Sequence, residues 1–315
     1  MTRSLRPDLP LLTDHLTRLR TEWAGQRLDS DPLAFPHRYR NPLDKEVTAL
    51  VASSLAFGRV ASIQASLERI FAALGPAPGQ FLLDFDGETP PGLRTFVHRW
   101  VGAREITAFL FAISGVLREH GSLGALFAAG DEPGDDYLPA LDRFFGALRA
   151  KARANGAAPS HGLRFLLPSP GEGSASKRAH LFLRWTIRTE DLDLGLFRGG
   201  LFDPARLLLP MDTHVHRIAT YLGLTRRKTA DLKAAREATR WLRLVSPSDP
   251  VAFDWALSRL GILAECVRER TRRHCERCAV RPVCRVAIPP IKAIMRHETL
   301  EEIRSIATGV AGAGR

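Results

Sequence analysis

Apolar residues recur every three or four positions along most of this chain, and this spacing is the strongest constraint on its fold. The stretch DKEVTALVASSLAFG, residues 44–58, places Val47, Leu50, Val51 and Leu55 on one helix face. The same spacing recurs in three further segments, SIQASLERIFAAL, REITAFLFAISGVLREHG and DYLPALDRFFGALRAKARANG. No segment shows the sustained alternation of apolar and polar residues that is typical of a β-strand. The sequence therefore predicts an all-α protein.

Size and composition allow a packed soluble fold. The 315 residues, 45% hydrophobic and 25% charged, are enough for one large or two modest domains. No apolar run reaches the length of a membrane span, and the first twenty residues lack the apolar core and cleavage site of a signal peptide. We expect a cytoplasmic location and no membrane partner.

Basic residues are concentrated toward the C-terminal part of the chain. Lysine and arginine outnumber aspartate and glutamate by 45 to 34, and residues 212–285 hold sixteen of the basic and eight of the acidic residues. A basic surface without a partner is one interpretation. The other is a nucleic-acid interface, because contact with a phosphate backbone requires such a local excess of positive charge.

All four cysteines lie within twenty residues of one another. Cys266, Cys275, Cys278 and Cys284 form a C-x8-C-x2-C-x5-C pattern. A large helical protein in the cytoplasm does not need a disulfide scaffold, so clustered thiolates favour a metal site. Four thiolates suit either zinc or a [4Fe–4S] cluster, and both remain open from the spacing.

One short helix is predicted to begin at an acidic residue. In LLLPMDTHVHRIATYLGL, residues 207–224, an apolar stripe of Val215, Ile218 and Leu222 ends at Gly223. Aspartate is among the best residues for the N-terminal cap of a helix, so Asp212 is a candidate cap. Asn41 and Asp44 are similar candidates around Pro42, where the first long helix begins.

These cysteines and this aspartate together resemble the endonuclease III superfamily of helix-hairpin-helix DNA glycosylases, iron–sulfur type. That superfamily carries a V-D-T-H-[IV]-x-R-[VI] segment, to which M-D-T-H-V-H-R-I, residues 211–218, is similar. Its first two cysteines enclose six residues, whereas Cys266 and Cys275 enclose eight. The resemblance implies that Asp212 is essential for base excision. It also favours a [4Fe–4S] cluster over zinc, held by Cys266, Cys275, Cys278 and Cys284.

A second motif of the superfamily is a glycine-rich turn between two helices. LLPSPGEGSASKRAHLFLRW, residues 166–185, resembles its L-P-G-[VI]-G-x-K-T-A motif. The resemblance implies that Gly171, Gly173 and Ser174 bind a DNA phosphate through backbone N–H groups.

In bifunctional members the helix after this turn opens with a nucleophilic lysine, and Lys177 takes that position. Two extra residues, Ala175 and Ser176, separate it from the turn. A nucleophilic amine must be neutral, and the positive end of a helix together with Arg178 would oppose the ammonium form. The resemblance also assigns DNA contacts to Arg178 and to Arg272, Arg273 and Arg277 of the cysteine loop.

The same resemblance implies two helical lobes. Residues 43–205 would form a barrel lobe with the hairpin, residues 1–42 and 206–288 a second lobe with the cysteine loop, and residues 289–315 a C-terminal helix and tail. The insert before Asp212 is similar to that of the archaeal 8-oxoguanine glycosylases. Most of the chain resembles an uncharacterised bacterial family with D-T-H-V-H-R-I and L-F-L-R-W segments.

The function expected from the resemblance is base-excision repair. The protein would be a monomeric DNA glycosylase with AP lyase activity that is associated with the nucleoid and acts on double-stranded DNA with a damaged base. Analogy favours oxidised guanine. Two alternatives stay open: a monofunctional glycosylase that uses Asp212 without Lys177, and a non-catalytic DNA-binding protein on the same scaffold.

Overall fold

The computed structural model describes residues 7–24, 28–197, 202–262, 266 and 272–287, with the backbone alone at 262 and 272–274. Its fourteen α-helices are joined by short loops and 3₁₀ turns. They are α1 (Leu9–Trp23), α2 (Ala34–His37), α3 (Pro42–Ser54), α4 (Val60–Leu74), α5 (Pro78–Leu83), α6 (Ala103–His120), α7 (Leu123–Ala129), α8 (Leu138–Ala154), α9 (His161–Leu166), α10 (Lys177–Ile187), α11 (Thr213–Leu222), α12 (Leu232–Val245), α13 (Asp254–Ile262) and α14 (Arg272–Arg277).

The predicted all-α class is confirmed. Within the described ranges the strands are β1 (Val97–His98) and β2 (Val101–Gly102), a two-residue antiparallel hairpin that pairs Val97 with Gly102. No helix of the described ranges is long and apolar enough to cross a membrane. The predicted C-terminal helix and tail at 289–315 lie outside the described residues.

Helix ends follow the local chemistry of the sequence at most positions. Asn41 caps α3, since its Oδ1 accepts from the backbone N–H of Leu43 at 2.9 Å, and Pro42 is the first helical residue. The prediction for Asp44 is wrong: its Oδ1 accepts from the N–H of Gly79 at 2.7 Å, in the first turn of α5. A buried acid of one helix thus satisfies the N-terminus of another.

Buried side chains form two large hydrophobic clusters. The first cluster contains buried residues between Leu33 and Leu207 together with Val251. The second cluster contains buried residues of α1, Ala175, and residues between Leu209 and Val280. The predicted lobe boundaries stay a prediction, but a change of cluster near residue 208 has a consequence for the site. The segment that leads into α11 runs from one cluster to the other.

A buried ion-pair network joins the two clusters. Arg184 of α10 and Arg188, the residue that follows this helix, both contact Asp193, and Arg184 also contacts Asp254 of α13. Arg188 reaches Asp249 at 2.8 Å. Burial acts to lower the pKa of Arg184, but the carboxylates of Asp193 and Asp254 outweigh it and raise that pKa. The network therefore keeps α10 aligned with the start of α13 through charged groups that are almost fully excluded from water.

Candidate active site at two helix N-termini

The N-termini of α10 and α11 meet at one point on the border between the clusters. Lys177 is the first residue of α10, and Asp212 is the N-terminal cap of α11. Ala175, two residues before Lys177, packs in the second cluster, whereas Ala179, two residues after it, packs in the first. Lys177 Nζ and Asp212 Oδ2 are 3.4 Å apart, and the two side chains are 27% and 25% exposed. The structure thus brings together, from 35 positions apart, a partly exposed amine and a carboxylate.

The two oxygens of Asp212 have separate roles. Oδ1 accepts from the backbone N–H groups of His214 and Val215, both at 2.9 Å, so the predicted helix cap is confirmed. Oδ2 faces Lys177. Burial acts to raise the pKa of Asp212, but the Lys177 ammonium and the two N–H groups outweigh it, and the net shift is downward. Asp212 is therefore a fixed, ionised carboxylate whose free oxygen is directed at an amine.

A second carboxylate lies close to this pair. Asp254 is buried on α13, where it contacts Arg184. Burial raises the pKa of Asp254, the charges of Arg184 and Lys177 oppose that rise, and the charge of Asp212 adds to it. The sequence reasoning did not find Asp254. Its signal is an acid in the otherwise apolar run VAFDWAL, residues 251–257, because an acid in such a run must find a partner when the helix is buried.

Two polar atoms beside the pair lack hydrogen-bond partners within the described residues. Ser176 Oγ, next to Lys177, and His214 Nδ1, two residues after Asp212, are both buried. Ser176 has φ +40° and ψ +44°, a left-handed conformation that costs energy for a residue with a side chain. Strain and unsatisfied polar atoms are concentrated at functional sites, so both support a binding role for this region.

Arg178 is partly buried and bonded to the backbone of two other helices. Its guanidinium donates to the carbonyls of Ser54 and Phe165 at 2.8 and 2.6 Å, and lies 3.6 Å from the centroid of the Phe165 ring. Burial lowers its pKa. Contact between Arg178 and DNA stays a prediction, and these bonds indicate that it anchors the start of α10 to the end of α3.

The glycine-rich turn is exposed, but one of its N–H groups is already used. Gly171, Gly173 and Ser174 are all at the surface, and Gly173 has φ +92°, a conformation that favours glycine. The N–H of Gly171 points to Asp142 Oδ1 at 3.4 Å, at the long limit of a hydrogen bond. Phosphate binding at the turn stays a prediction, and it would have to displace this carboxylate at Gly171.

The cysteine loop is attached to the helix that Asp212 caps. Arg217 of α11 donates to the carbonyl of Cys266 at 2.7 Å, and the N–H of Arg285 donates to the carbonyl of Tyr221 at 2.8 Å. His15 Nδ1 lies 3.0 Å from the carbonyl of Ala279, which adds a contact with α1. The loop therefore contacts α11 at Arg217 and Tyr221 and packs against the second cluster.

The four cysteines lie close enough to affect one another. Burial raises the pKa of the Cys266 thiol to about 11, and the neighbouring Cys278, Cys284 and Cys275 contribute in the same direction. None of the four forms a disulfide. The donors are of the type that zinc and iron–sulfur clusters require. Even so, no three side chains of the described residues are arranged as a preformed metal site.

The basic segment contains both internal and surface charges. Arg236 pairs with Asp136 and Arg259 with Asp31, so part of the excess is neutralised within the fold. Four exposed residues have no acidic partner among the described residues: Lys228, Lys233, Arg240 and Arg277. Of the predicted DNA contacts in the loop, Arg277 is thus on the surface, and the side chains of Arg272 and Arg273 lie outside the described residues.

The fold and site together define an all-α protein with a lysine–aspartate pair where two hydrophobic clusters meet. Residues 31–263 match the family described as protein of unknown function (DUF2400), and the chain belongs to that family. The matched range includes Lys177 and Asp212 and ends before Cys266. Neither a curated protein nor a solved structure matches the chain.

Proposed function

We propose that this protein is a DNA glycosylase with AP lyase activity that removes a damaged base. The observation that carries the proposal is the 3.4 Å pair of Lys177 and Asp212 at two helix N-termini. An amine nucleophile needs a base beside it, and Asp212 has one oxygen directed at the amine while backbone N–H groups fix the other. The partial exposure of both side chains leaves them accessible to a nucleotide.

The proposed reaction begins when Asp212 accepts a proton from the Lys177 ammonium. The neutral amine attacks the anomeric carbon of the damaged nucleotide, a carbon–nitrogen bond forms, and the glycosidic bond breaks. Its electron pair leaves with the base, which is then protonated. Loss of a second amine proton and opening of the sugar ring, whose oxygen takes up a proton, give a protonated imine. Removal of a proton from C2′ then expels the 3′ phosphate by β-elimination. The target nucleotide must first rotate out of the stack, because its glycosidic bond is unreachable there.

Resemblance to the archaeal 8-oxoguanine glycosylases favours oxidised guanine as the substrate. The partner would be double-stranded DNA. Its phosphate backbone would contact exposed basic residues of α12, of the loop before it and of α14, namely Lys228, Lys233, Arg240 and Arg277. Repair of chromosomal DNA by such an enzyme would take place in the cytoplasm at the nucleoid.

The functional experiment is a panel of duplexes, each with one lesion, incubated with the protein in the presence and absence of borohydride. We expect base release from one class of lesion, and a covalent protein–DNA adduct only when borohydride reduces the imine. Undamaged duplex is the control. Binding to both duplexes should weaken steeply with salt, with a log–log slope that reports roughly four to eight phosphates. Affinity that does not change with salt would contradict the DNA interface itself.

We further propose that Cys266, Cys275, Cys278 and Cys284 hold a [4Fe–4S] cluster, with zinc as the alternative. Thiolate donors fit either group. When bound, the cluster would be structural: the loop is tied to α11 by Arg217 and Tyr221, so a stabilised loop would keep α11, and the carboxylate that caps it, in position.

Metal content distinguishes the two groups. Protein purified without oxygen is expected to be brown and to contain roughly four irons per chain. Cys278→Ser should lose most of the iron and lower the melting temperature, while Ser246→Ala, a helix-end serine outside the loop, should keep both unchanged. One zinc per chain without iron would overturn the cluster and leave the lysine–aspartate proposal standing.

A further inference from the structure

A cleft separate from the lysine–aspartate pair lies between the C-terminal half of α8, α9 and the segment that enters the glycine-rich turn. Its volume is about 280 Å³, and its apolar wall includes Pro159, Leu163 and Leu167. Small-molecule sites in proteins usually measure roughly 300 to 1,000 Å³. The cleft is therefore at the lower limit for a small organic ligand.

Three arginines from two helices converge on this cleft. Arg149 and Arg153 come from α8 and Arg164 from α9, whereas Glu172 is the one acidic residue in its lining. Arg149 donates to the carbonyl of Pro168, just before the turn. The guanidinium groups of Arg153 and Arg164, both exposed residues, form no hydrogen bond or ion pair with another described residue.

Many other arginines of the described part of the chain are neutralised by an acid. Arg38, Arg206 and Arg236, for example, each form an ion pair with an acid of another element. Three guanidinium groups around one opening repel one another unless an anion compensates them. Guanidinium matches phosphate oxygens in geometry as well as charge, because it presents its donors in a planar fork.

We propose that this cleft binds a small organic phosphate of about mononucleotide size. The phosphate would contact the guanidinium groups of Arg149, Arg153 and Arg164, and the apolar part would lie against Leu163 and Leu167. The proposal does not rest on the glycosylase proposal, since none of these residues belongs to the Lys177–Asp212 pair. Because Arg149 holds the carbonyl of Pro168, an occupant would also contact the segment that positions the glycine-rich turn.

Calorimetric titration of the full chain with adenosine monophosphate and with inorganic phosphate tests the proposal. We expect saturable binding of the nucleotide, and binding of inorganic phosphate at least about tenfold weaker because it lacks an apolar part. Arg153→Gln/Arg164→Gln should weaken nucleotide binding at least about tenfold, since two charge-assisted contacts are lost. The matched control is Arg40→Gln/Arg94→Gln, which removes two exposed arginines that also lack partners among the described residues. Its affinity should stay within about twofold of the wild type.

Three outcomes would overturn the proposal. One is the absence of nucleotide binding at millimolar concentration in wild-type protein that is folded by circular dichroism. A second is an equal loss in the cleft variant and the control, which would mean attraction to net charge alone. The third is displacement of the nucleotide by an undamaged DNA duplex whose binding falls by the same factor in the cleft variant. That result would assign the phosphate to a nucleic-acid strand and not to a free ligand.

Discussion

Arg184→Met is expected to lower the free energy of unfolding by about 3 to 5 kcal/mol. Arg184 is 4% exposed and contacts Asp193 and Asp254, which are 1% and 4% exposed. Methionine fills much of the same volume but leaves Asp254 buried without a cation. The loss of stability comes mainly from that uncompensated charge. Urea denaturation followed by circular dichroism measures it.

Arg38→Met provides the matched control. Arg38 pairs with Glu68 on the surface, where both side chains are about half exposed, and the expected loss is at most about 1 kcal/mol. The double variant Arg184→Met/Asp254→Asn should recover part of the stability, because no buried charge is then left unpaired. Equal losses in the Arg184 and Arg38 variants would show that the network contributes no more than a surface pair.

The free energy of unfolding of Arg184→Met should depend on pH in a defined direction. Burial raises the pKa of Asp254, and Arg184 opposes this rise. Without Arg184 the folded state therefore holds a proton on Asp254 at pH values where the unfolded state has lost it. The deficit relative to the wild type should shrink as the pH falls toward the ordinary pKa of aspartate.

Much of the helical architecture could be predicted because its signals are local. The apolar spacing of residues 62–74 predicts α4, and Gly75, at φ +75°, ends it where the sequence indicates. Asn41 and Asp212 cap their helices as expected, since an N-terminal cap depends on residues within three positions. The predicted cap at Asp44 is wrong because its partner, the N–H of Gly79, is 35 residues away in the sequence. Local sequence patterns do not indicate contacts over such a separation.

In the candidate site, too, local sequence indicates some features, and others depend on how the helices pack. The motifs indicate Lys177 and Asp212 separately, but their 3.4 Å separation depends on how α10 and α11 pack. The DNA contact of Arg178 is implied by the family resemblance alone and stays a prediction. The surroundings of Arg178 are Phe165 and the carbonyl of Ser54, which come from two other helices. A charge within an apolar segment, such as Arg184 in LFLRW, is the one sequence signal that indicates a buried partner.

The largest effect on activity is expected at Asp212. Asp212→Asn keeps an oxygen to accept from the N–H groups of His214 and Val215 and removes the charge that faces Lys177. Asparagine caps a helix about as well as aspartate, and a partly exposed ion pair contributes little to stability. The free energy of unfolding should therefore change by less than about 1 kcal/mol. Excision of the correct lesion should fall at least about a hundredfold, because the group that accepts the proton is lost. Asp8→Asn is the control: Asp8 caps α1 and pairs with no lysine of the described residues, so its replacement should leave excision unchanged.

Lys177→Gln then distinguishes the proposed enzyme from its two alternatives. For a bifunctional enzyme, the variant should lose the borohydride-trapped adduct and retain DNA binding, because the imine forms on Lys177 Nζ. Lys151→Gln, which breaks the ion pair with Glu119 on α6, should keep the adduct. Excision that survives Lys177→Gln but not Asp212→Asn would mean a monofunctional glycosylase in which Asp212 activates water. Wild-type protein that binds lesions and releases no base from any of them would leave Asp212 as the cap of α11 and Lys177 as its surface counter-ion.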